Sequence, residues 1–378
     1  MNNSGPQSLF ELFADLENRG IPKSEHYKYI PSFLESKSRR NHYPVHAVFE
    51  LTPLCNFNCK MCYIHLSQDQ FNKNNLLPVG VWKKIADDAK KAGLRTLVIT
   101  GGECLTYPDF EELYTYLASL RLSIAIMTNG YLIDDRKLAL FREYKPKIIQ
   151  ISIYGSTEEA YEAVTGVRAF DKVYQNILSL RDDGQNVKLS ITPSAYMKDV
   201  KELITLAESL KLKYGVNAHL FQPRENTGRD KYDLSPNEYL EIYRFISTIH
   251  GEELKPVDWT EIPDSNHEGS QHFGLRCGSG RSTFGIRYDG LMCPCLSLSH
   301  ITAEPLVVGF DQAWRQINRE IERYPLPLEC GDCIYKRRCL GCVAIHKDAA
   351  LKGHCDPEVC ERMKKLVHEG FIPLNHLC

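Results

Sequence analysis

The sequence predicts an α/β fold, a partial (β/α)6 TIM-like barrel over residues 46–225 followed by a small cysteine-rich domain over 277–378. Three observations predict it. Six short, β-branched apolar runs alternate with amphipathic segments of helical period. Thiol-bearing and polar motifs recur directly after those runs. The 14 cysteines gather in two places, three at 55–62 and nine between 277 and 360, with only Cys104 and Cys378 standing apart.

The first 45 residues form an N-terminal extension rich in charge and aromatics ("KSEHYKYIPSFLESKSRRNHY"). The predicted strands follow in order: AVFELT at 47–52, RTLVIT at 95–100, LSIAIMT at 122–128, KIIQISIY at 147–154, VKLSITP at 187–193 and VNAHLF at 216–221. Between them lie segments such as VGVWKKIADDAKKAG and DVKELITLAESLKLK, whose apolar residues recur on one helical face. Strands joined by helical crossovers pair in parallel, and six units in 180 residues suit an open barrel better than a closed eightfold one. Residues 226–276 form a connecting helical segment. TFGIRYDGLMCPC then reads as a hairpin, with Asp289 and Gly290 supplying positive φ for a type I′ turn.

Charge and hydropathy narrow the function classes. Charged residues are 25% of the chain and formal net charge is -2, with no basic stripe, so nucleic acid is not an expected partner. No apolar run approaches the roughly 18 residues of a membrane span, and the start lacks a basic then apolar signal. The expectation is a cytoplasmic protein without a membrane span. Disulfide scaffolds are short and spread their cysteines over the fold, whereas clustered thiols fit metal sites in a reducing compartment.

In parallel β/α folds functional residues collect where the strands end. Here LTPLCNFNCKMCYIHL follows the first run, Gly101, Gly102 and Glu103 the second and Thr128–Gly130 the third, while Ser152 lies near the end of the fourth. Two adjacent glycines are commonly a tight turn and a buried serine commonly satisfies backbone, but four signals at one edge support each other. Cys55, Cys59 and Cys62 put three thiols within eight residues. Structural zinc takes a closed set of four ligands, whereas three thiolates can hold three irons of a 4Fe-4S cluster and leave the fourth open.

A cysteine triad of this spacing after strand one, with GGE after strand two, resembles the radical S-adenosylmethionine (radical SAM) superfamily over residues 45–225. The resemblance implies that Cys55, Cys59 and Cys62 hold a 4Fe-4S cluster and that S-adenosylmethionine chelates its open iron, to be cleaved reductively to a 5′-deoxyadenosyl radical. It implies cofactor contacts as well. Gly101 and Gly102 allow close backbone approach, and Glu103 accepts from the amine. Asn129 and Ser152 face the ribose, Met61 packs on adenine, and Arg168 pairs with the carboxylate, although many relatives carry that arginine where Thr165 stands. Two residues depart from the family pattern. Met61 replaces an aromatic before the third cysteine, and Cys104, read as a small buried residue or else a thiol near the site, replaces a proline after GGE.

The C-terminal thiols are Cys277, Cys293, Cys295, those of CGDCIYKRRCLGC at 330–342, Cys355 and Cys360. Paired CxxC motifs also mark zinc ribbons, but a five-residue gap is short against the roughly 15–20 of ribbon sites, and nine thiols exceed two zinc sites. The order resembles the SPASM domain that follows the radical domain in many peptide- and protein-modifying enzymes. That resemblance implies two auxiliary 4Fe-4S clusters, one on Cys277, Cys295 and Cys342, the other on Cys330, Cys333, Cys339 and Cys360. The fourth ligand of the first is Cys293, Cys355 or none, and Cys378 is a bystander. Such clusters would both staple the domain and take up an electron when the substrate is oxidised.

The implied function is an oxidoreductase that modifies a peptide or protein side chain by cross-link or dehydrogenation, as maturases of ribosomally made peptides do. The N-terminal extension is too short for a leader-binding module. The expected partners are a peptide or protein substrate, bound through the barrel and SPASM face, presented by a separate carrier protein or acted on directly, and a flavodoxin or ferredoxin as electron donor. His219, Arg224, Glu225 and Arg229 offer polar groups after the sixth run, with solvated loop charges as the plainer reading. No catalytic acid or base is assigned. Two other readings are a small-molecule radical SAM dehydrogenase or epimerase, and a zinc-stabilised binding protein without activity.

Overall fold

The computed structural model describes residues 7–64, 66, 75–217, 220–221, 233–252, 277–328, 342–344 and 354–369. Two helices precede the sheet, α1 (Leu9–Asn18), capped by Ser8, and α2 (Ile30–Asn41), which ends at His42 in the left-handed region. The barrel units are β1 (His46–Glu50), α3 (Val79–Ala92), β2 (Thr96–Thr100), α4 (Phe110–Ser119), β3 (Ser123–Thr128), α5 (Asp135–Glu143) and β4 (Ile148–Ile153). Next come α6 (Glu158–Thr165), α7 (Phe170–Asp182), β5 (Val187–Ile191), α8 (Val200–Ser209) and β6 (Lys213–Val216). Then follow α9 (Pro236–His250), β7 (Thr283–Ile286), β8 (Met292–Cys293), α10 (Pro305–Val308), α11 (Phe310–Glu322) and α12 (Pro357–His368).

The strands form one sheet in the order β6-β5-β4-β3-β2-β1-β7-β8, parallel throughout except for the antiparallel β7–β8 pair. This is the predicted partial barrel with one addition. β7, from beyond the expected domain boundary at 277, pairs in parallel with β1, Val48 opposite Gly285, so the sheet continues into the C-terminal segment.

Period-2 alternation separates the two faces. Leu97, Ile99, Ile149, Ile151, Ile153, Leu189 and Ile191 are fully buried under the helices, and each such side chain contributes about 1.5–3 kcal/mol. Their alternates, among them Thr100, Met127, Gln150, Ser152 and Lys188, are partly exposed and line the inner face. α3 shows how a helix joins this core. Trp82, Ile85, Ala86 and Ala89 form its buried stripe, the Trp82 ring packs at a tilt with its centroid 5.1 Å from that of Phe49, and Gly93 ends the helix at φ 118°.

Two expectations are corrected. The sixth strand is Lys213–Val216 and shares only Val216 with the expected 216–221, of which Asn217, Leu220 and Phe221 are outside any strand and 218–219 lie outside the described residues: Leu210 caps α8, Lys211 turns the chain at φ 55°, and pairing starts at once with Lys188 opposite Lys213. The β7–β8 turn is not type I′. Gly290 N donates to Arg287 O and Arg287 N to Leu291 O, and only Gly290 (φ 84°) has positive φ. This is a three-residue connection closed by a glycine bulge.

The C-terminal segment packs back on the barrel. Trp314 of α11 donates to His42 O at 2.7 Å and packs with Phe310 around Phe284 of β7. α12 lies along α9, where Arg362, 1% exposed, reaches Asp233 at 3.1 Å over the Tyr239 ring. No helix among the described residues is long and apolar enough to cross a membrane.

Candidate functional site

The sheet brings the predicted motifs to one end. β1 stops at Glu50, and the chain crosses the strand ends as an irregular loop through Cys55, Cys59 and Cys62. The segment after β2 fastens this loop: Gly102 N donates to Thr52 O at 2.6 Å and Glu103 N to Leu54 O at 2.9 Å. A Cβ at Gly101 would stand 2.8 Å from Thr52 O, and one at Gly102 would stand 2.6 Å from Pro53 O. The backbone that approaches these glycines closely is therefore the chain's own cysteine loop. The end of α6 holds the loop from the other side, with Asn58 N on Thr165 O (2.9 Å) and Lys60 N on Val164 O (3.0 Å).

The three thiols lie within electrostatic reach of one another. Burial, then the charges of Glu103 and Cys62, push the Cys55 thiol up to about 12. Burial and the two neighbouring thiols hold Cys59 well above its ordinary value. Phe57 N and Asn129 Nδ2 point at Cys55 Sγ, at 3.4 and 3.7 Å. Such a set stays protonated by itself, and a cationic iron centre supplies the charge that makes it thiolate. Beside it, Asn56 Nδ2 and the Tyr161 hydroxyl are buried without a hydrogen-bond partner among the described residues, leaving donors for sulfide or for a bound ligand. The residues therefore fit a 4Fe-4S cluster.

Glu103 is 1% exposed. Its Oε1 accepts from Leu105 N (3.0 Å) and Thr128 Oγ1 (2.8 Å), and its Oε2 accepts from Asn129 N (2.7 Å). Burial nonetheless raises its pKa, so the carboxylate is oriented by neutral donors and still favours a cation such as a ligand amine. Asn129 donates to Asn56 Oδ1 at 2.8 Å and so ties the turn after β3 to the cysteine loop. Ser152 bonds to Tyr154 two residues on, and the Tyr154 hydroxyl also bonds to Cys59. Met61 is partly buried against the main core, and Cys104 is fully buried with its thiol directed at Met127 O, 3.3 Å away, as a small core residue would be.

Arg168 does not join this group. Its side chain is 52% exposed and paired on the surface with Glu159 (2.6 Å) and Glu162 (3.3 Å) of α6. Thr165, at the alternative position, spends its hydroxyl on Tyr161 O and Val167 O.

At the C-terminal end the structure brings Cys277, Cys295 and Cys342 together. Burial, then the charges of Cys342 and Cys277, push the Cys295 thiol up to about 12. The Tyr324 hydroxyl, buried and without a hydrogen-bond partner among the described residues, lies beside Cys295 and Cys342. Cys293 is fully buried on β8 with its thiol on Gly285 O at 3.7 Å. Cys355 and Cys360 flank the start of α12, near which Cys342 packs on Val359 and Met363. Cys330, Cys333, Cys339, Cys378, His219, Arg224, Glu225 and Arg229 lie outside the described residues.

Sequence reasoning missed Asn56, Tyr154, Tyr161 and Tyr324. Two of them had a local signal: Asn56 lies inside the cysteine motif, next to Cys55, and Tyr154 stands at a spacing of two from Ser152. Tyr161 and Tyr324 reach the thiols only through helix and loop packing.

Comparison with known proteins points the same way. The family profile of the Radical SAM superfamily matches residues 49–194. The antilisterial bacteriocin subtilosin biosynthesis protein AlbA of Bacillus subtilis is 28% identical over 257 residues, which is 67% of this chain but only 55% of that protein. The mycofactocin maturase MftC of Mycobacterium tuberculosis is 25% identical over 327 residues, 83% of this chain and 82% of that protein. Among solved structures, Streptococcus suis SuiB bound to S-adenosylmethionine superposes with a TM-score of 0.66 at 17% identity, covering 92% of this chain and 86% of SuiB. That likeness shows a shared fold.

Proposed function

This chain belongs to the radical SAM superfamily, and from that premise we propose that it oxidatively modifies a peptide or protein side chain, by cross-link or dehydrogenation. Bound S-adenosylmethionine and a 4Fe-4S cluster would supply hydrogen-atom abstraction through a 5′-deoxyadenosyl radical. The single observation that carries the reading is the loop of three mutually close thiols, fastened by Gly102 and Glu103 at the strand ends. Cys55, Cys59 and Cys62 would hold the cluster, and Glu103, locked by Thr128 and Asn129, would hold and orient the cofactor's amine. Gly101 and Gly102 set the height of the cysteine loop over the sheet. Ser152, Asn129 and Met61 would contact the nucleoside part.

Two supports favour a peptide substrate. AlbA is named for biosynthesis of the antilisterial bacteriocin subtilosin and MftC as a mycofactocin maturase, and SuiB has been solved bound to the precursor peptide SuiA. The clustered Cys277, Cys295 and Cys342 support a SPASM-like C-terminal domain, with Cys330, Cys333, Cys339 and Cys360 as the ligands of a second auxiliary cluster. A flavodoxin or ferredoxin would deliver the electron, and the peptide would bind directly or on a separate carrier protein.

The test uses anaerobically reconstituted protein. Wild type should form 5′-deoxyadenosine and remove two hydrogens from an added precursor peptide. Replacing Cys55, Cys59 and Cys62 together by Ala should abolish 5′-deoxyadenosine while iron remains bound at the C-terminal end. Loss of all iron in that variant would show that the two ends are not independent sites, and 5′-deoxyadenosine formation by it would refute the cluster assignment.

A further inference from the structure

The inner face of β5 and β6 carries polar groups that the cofactor assignment leaves unused. Lys188 and Ser190 lie on that face, with Thr192 just past the end of β5. The register sets Lys188 between Gln150 of β4 and Lys213 of β6, and Ser190 between Ser152 and Gly215. The Lys188 side chain leans along the strand and lies across Gly215. A Cβ at that glycine would meet Lys188 Cε at 3.1 Å and Nζ at 3.2 Å, so the bare backbone of Gly215 is the slot in which the ammonium rests.

Lys188 is partly buried and has no hydrogen-bond or ion-pair partner among the described residues. The inner-facing residues of the two strands, Lys188, Ser190, Lys213 and Gly215, with Thr192 and Asn217 just beyond, include no acid. Asn217 Nδ2 donates to Ser190 Oγ at 3.3 Å and to Thr192 Oγ1 at 2.7 Å. Both hydroxyls thus use acceptor capacity on Asn217 and keep their own protons for another acceptor. An ammonium with no partner among the described residues, on the same face as two available O–H donors, is complementary to an anion, because a half-buried cation without a counter-charge is costly.

The residues assigned to the cofactor sit on or after β1 to β4, whereas β5 and β6 form the far end of the strand order. We propose that Lys188, Ser190 and Thr192 form a carboxylate-binding wall for the peptide substrate, taking its C-terminus or an acidic side chain. This rests on the reading that the substrate is a peptide. Charge-assisted hydrogen bonds of this kind change affinity by about tenfold or more.

The test is affinity selection of a random peptide library, with free and with amidated C-termini, on the reconstituted protein in the presence of S-adenosylmethionine. Wild type should retain carboxylate-bearing peptides, and Lys188→Met should lose that preference by about tenfold with its calorimetric Kd for S-adenosylmethionine unchanged. Gly215→Ala keeps the charge but displaces it and should weaken the same preference. Dependence on the free C-terminus would identify that group as the anchor, and dependence on Asp or Glu would identify a side chain. A weakened S-adenosylmethionine Kd in Lys188→Met would assign the wall to the cofactor and overturn the proposal. Retention by wild type regardless of carboxylates would overturn it while leaving the peptide reading intact, and retention of no peptide would overturn both.

Discussion

A methyl group is too large at Gly102. Its Cβ would stand 2.6 Å from both Pro53 O and the Leu54 carbonyl carbon, and these are backbone atoms that cannot rotate away. Gly102→Ala should therefore lift the cysteine loop and destabilise the fold by about 1–3 kcal/mol. Thermal melting would check the stability, and iron per chain would check the expected loss at the Cys55, Cys59 and Cys62 site; unchanged iron would show that the loop tolerates the shift. Residue by residue, the glycines, Glu103 and the three cysteines were legible because the chemistry restricts their types. What they touch was not legible, since the partners of Glu103 come from β3 and those of Gly102 from the loop after β1.

At the scale of elements, α9 and α12 show how the chain after the barrel is secured. Ser235 caps α9 in a reciprocal capping box with Glu238. Ser235→Ala should cost about 1 kcal/mol, read as a lower urea midpoint with an unchanged slope. α12 presents Arg362 to Asp233, the two side chains 2% and 18% exposed. Arg362→Met keeps most of the volume but leaves Asp233 without its counter-charge, and a loss of about 3 kcal/mol is expected. A stability within error of wild type would mean that α12 packs through its apolar contacts alone. The barrel helices were legible from their 3.6-residue period. The sixth strand was misplaced because its apolar alternation continues past Val216, whereas pairing with β5 begins at Lys213.

For the whole molecule, the N-terminal helices, the barrel and the C-terminal segment meet at Glu35. Its carboxylate accepts from His46 of β1 at 2.6 Å, Arg39 at 2.9 Å and Ser282, just before β7, at 3.1 Å. Burial opposes ionisation of Glu35, but the hydrogen bonds from His46 and Arg39 outweigh it and lower the pKa below 4.5. A lowered carboxylate contributes stability that is complete above its ordinary value and lost as pH falls through the lowered one. The stability difference between wild type and Glu35→Gln should thus persist at neutral pH and close as the pH drops below about 4.5. A difference that stays constant into acid would exclude ionised Glu35 as the link.

By itself the sequence determined the six β/α units, the edge at which chemistry collects and the identity of the thiols, because each depends on local period or on residue types that few chemistries share. Tertiary structure decided which thiols meet. Cys277, Cys295 and Cys342 converge across 65 residues of chain, and spacing alone cannot say where a loop returns. It also decided that Arg168 faces solvent while Lys188 lies on the inner face without a partner among the described residues. A helix or strand specifies a side chain's direction only relative to itself, and the packing of one element on another turns that direction toward a site or away from it.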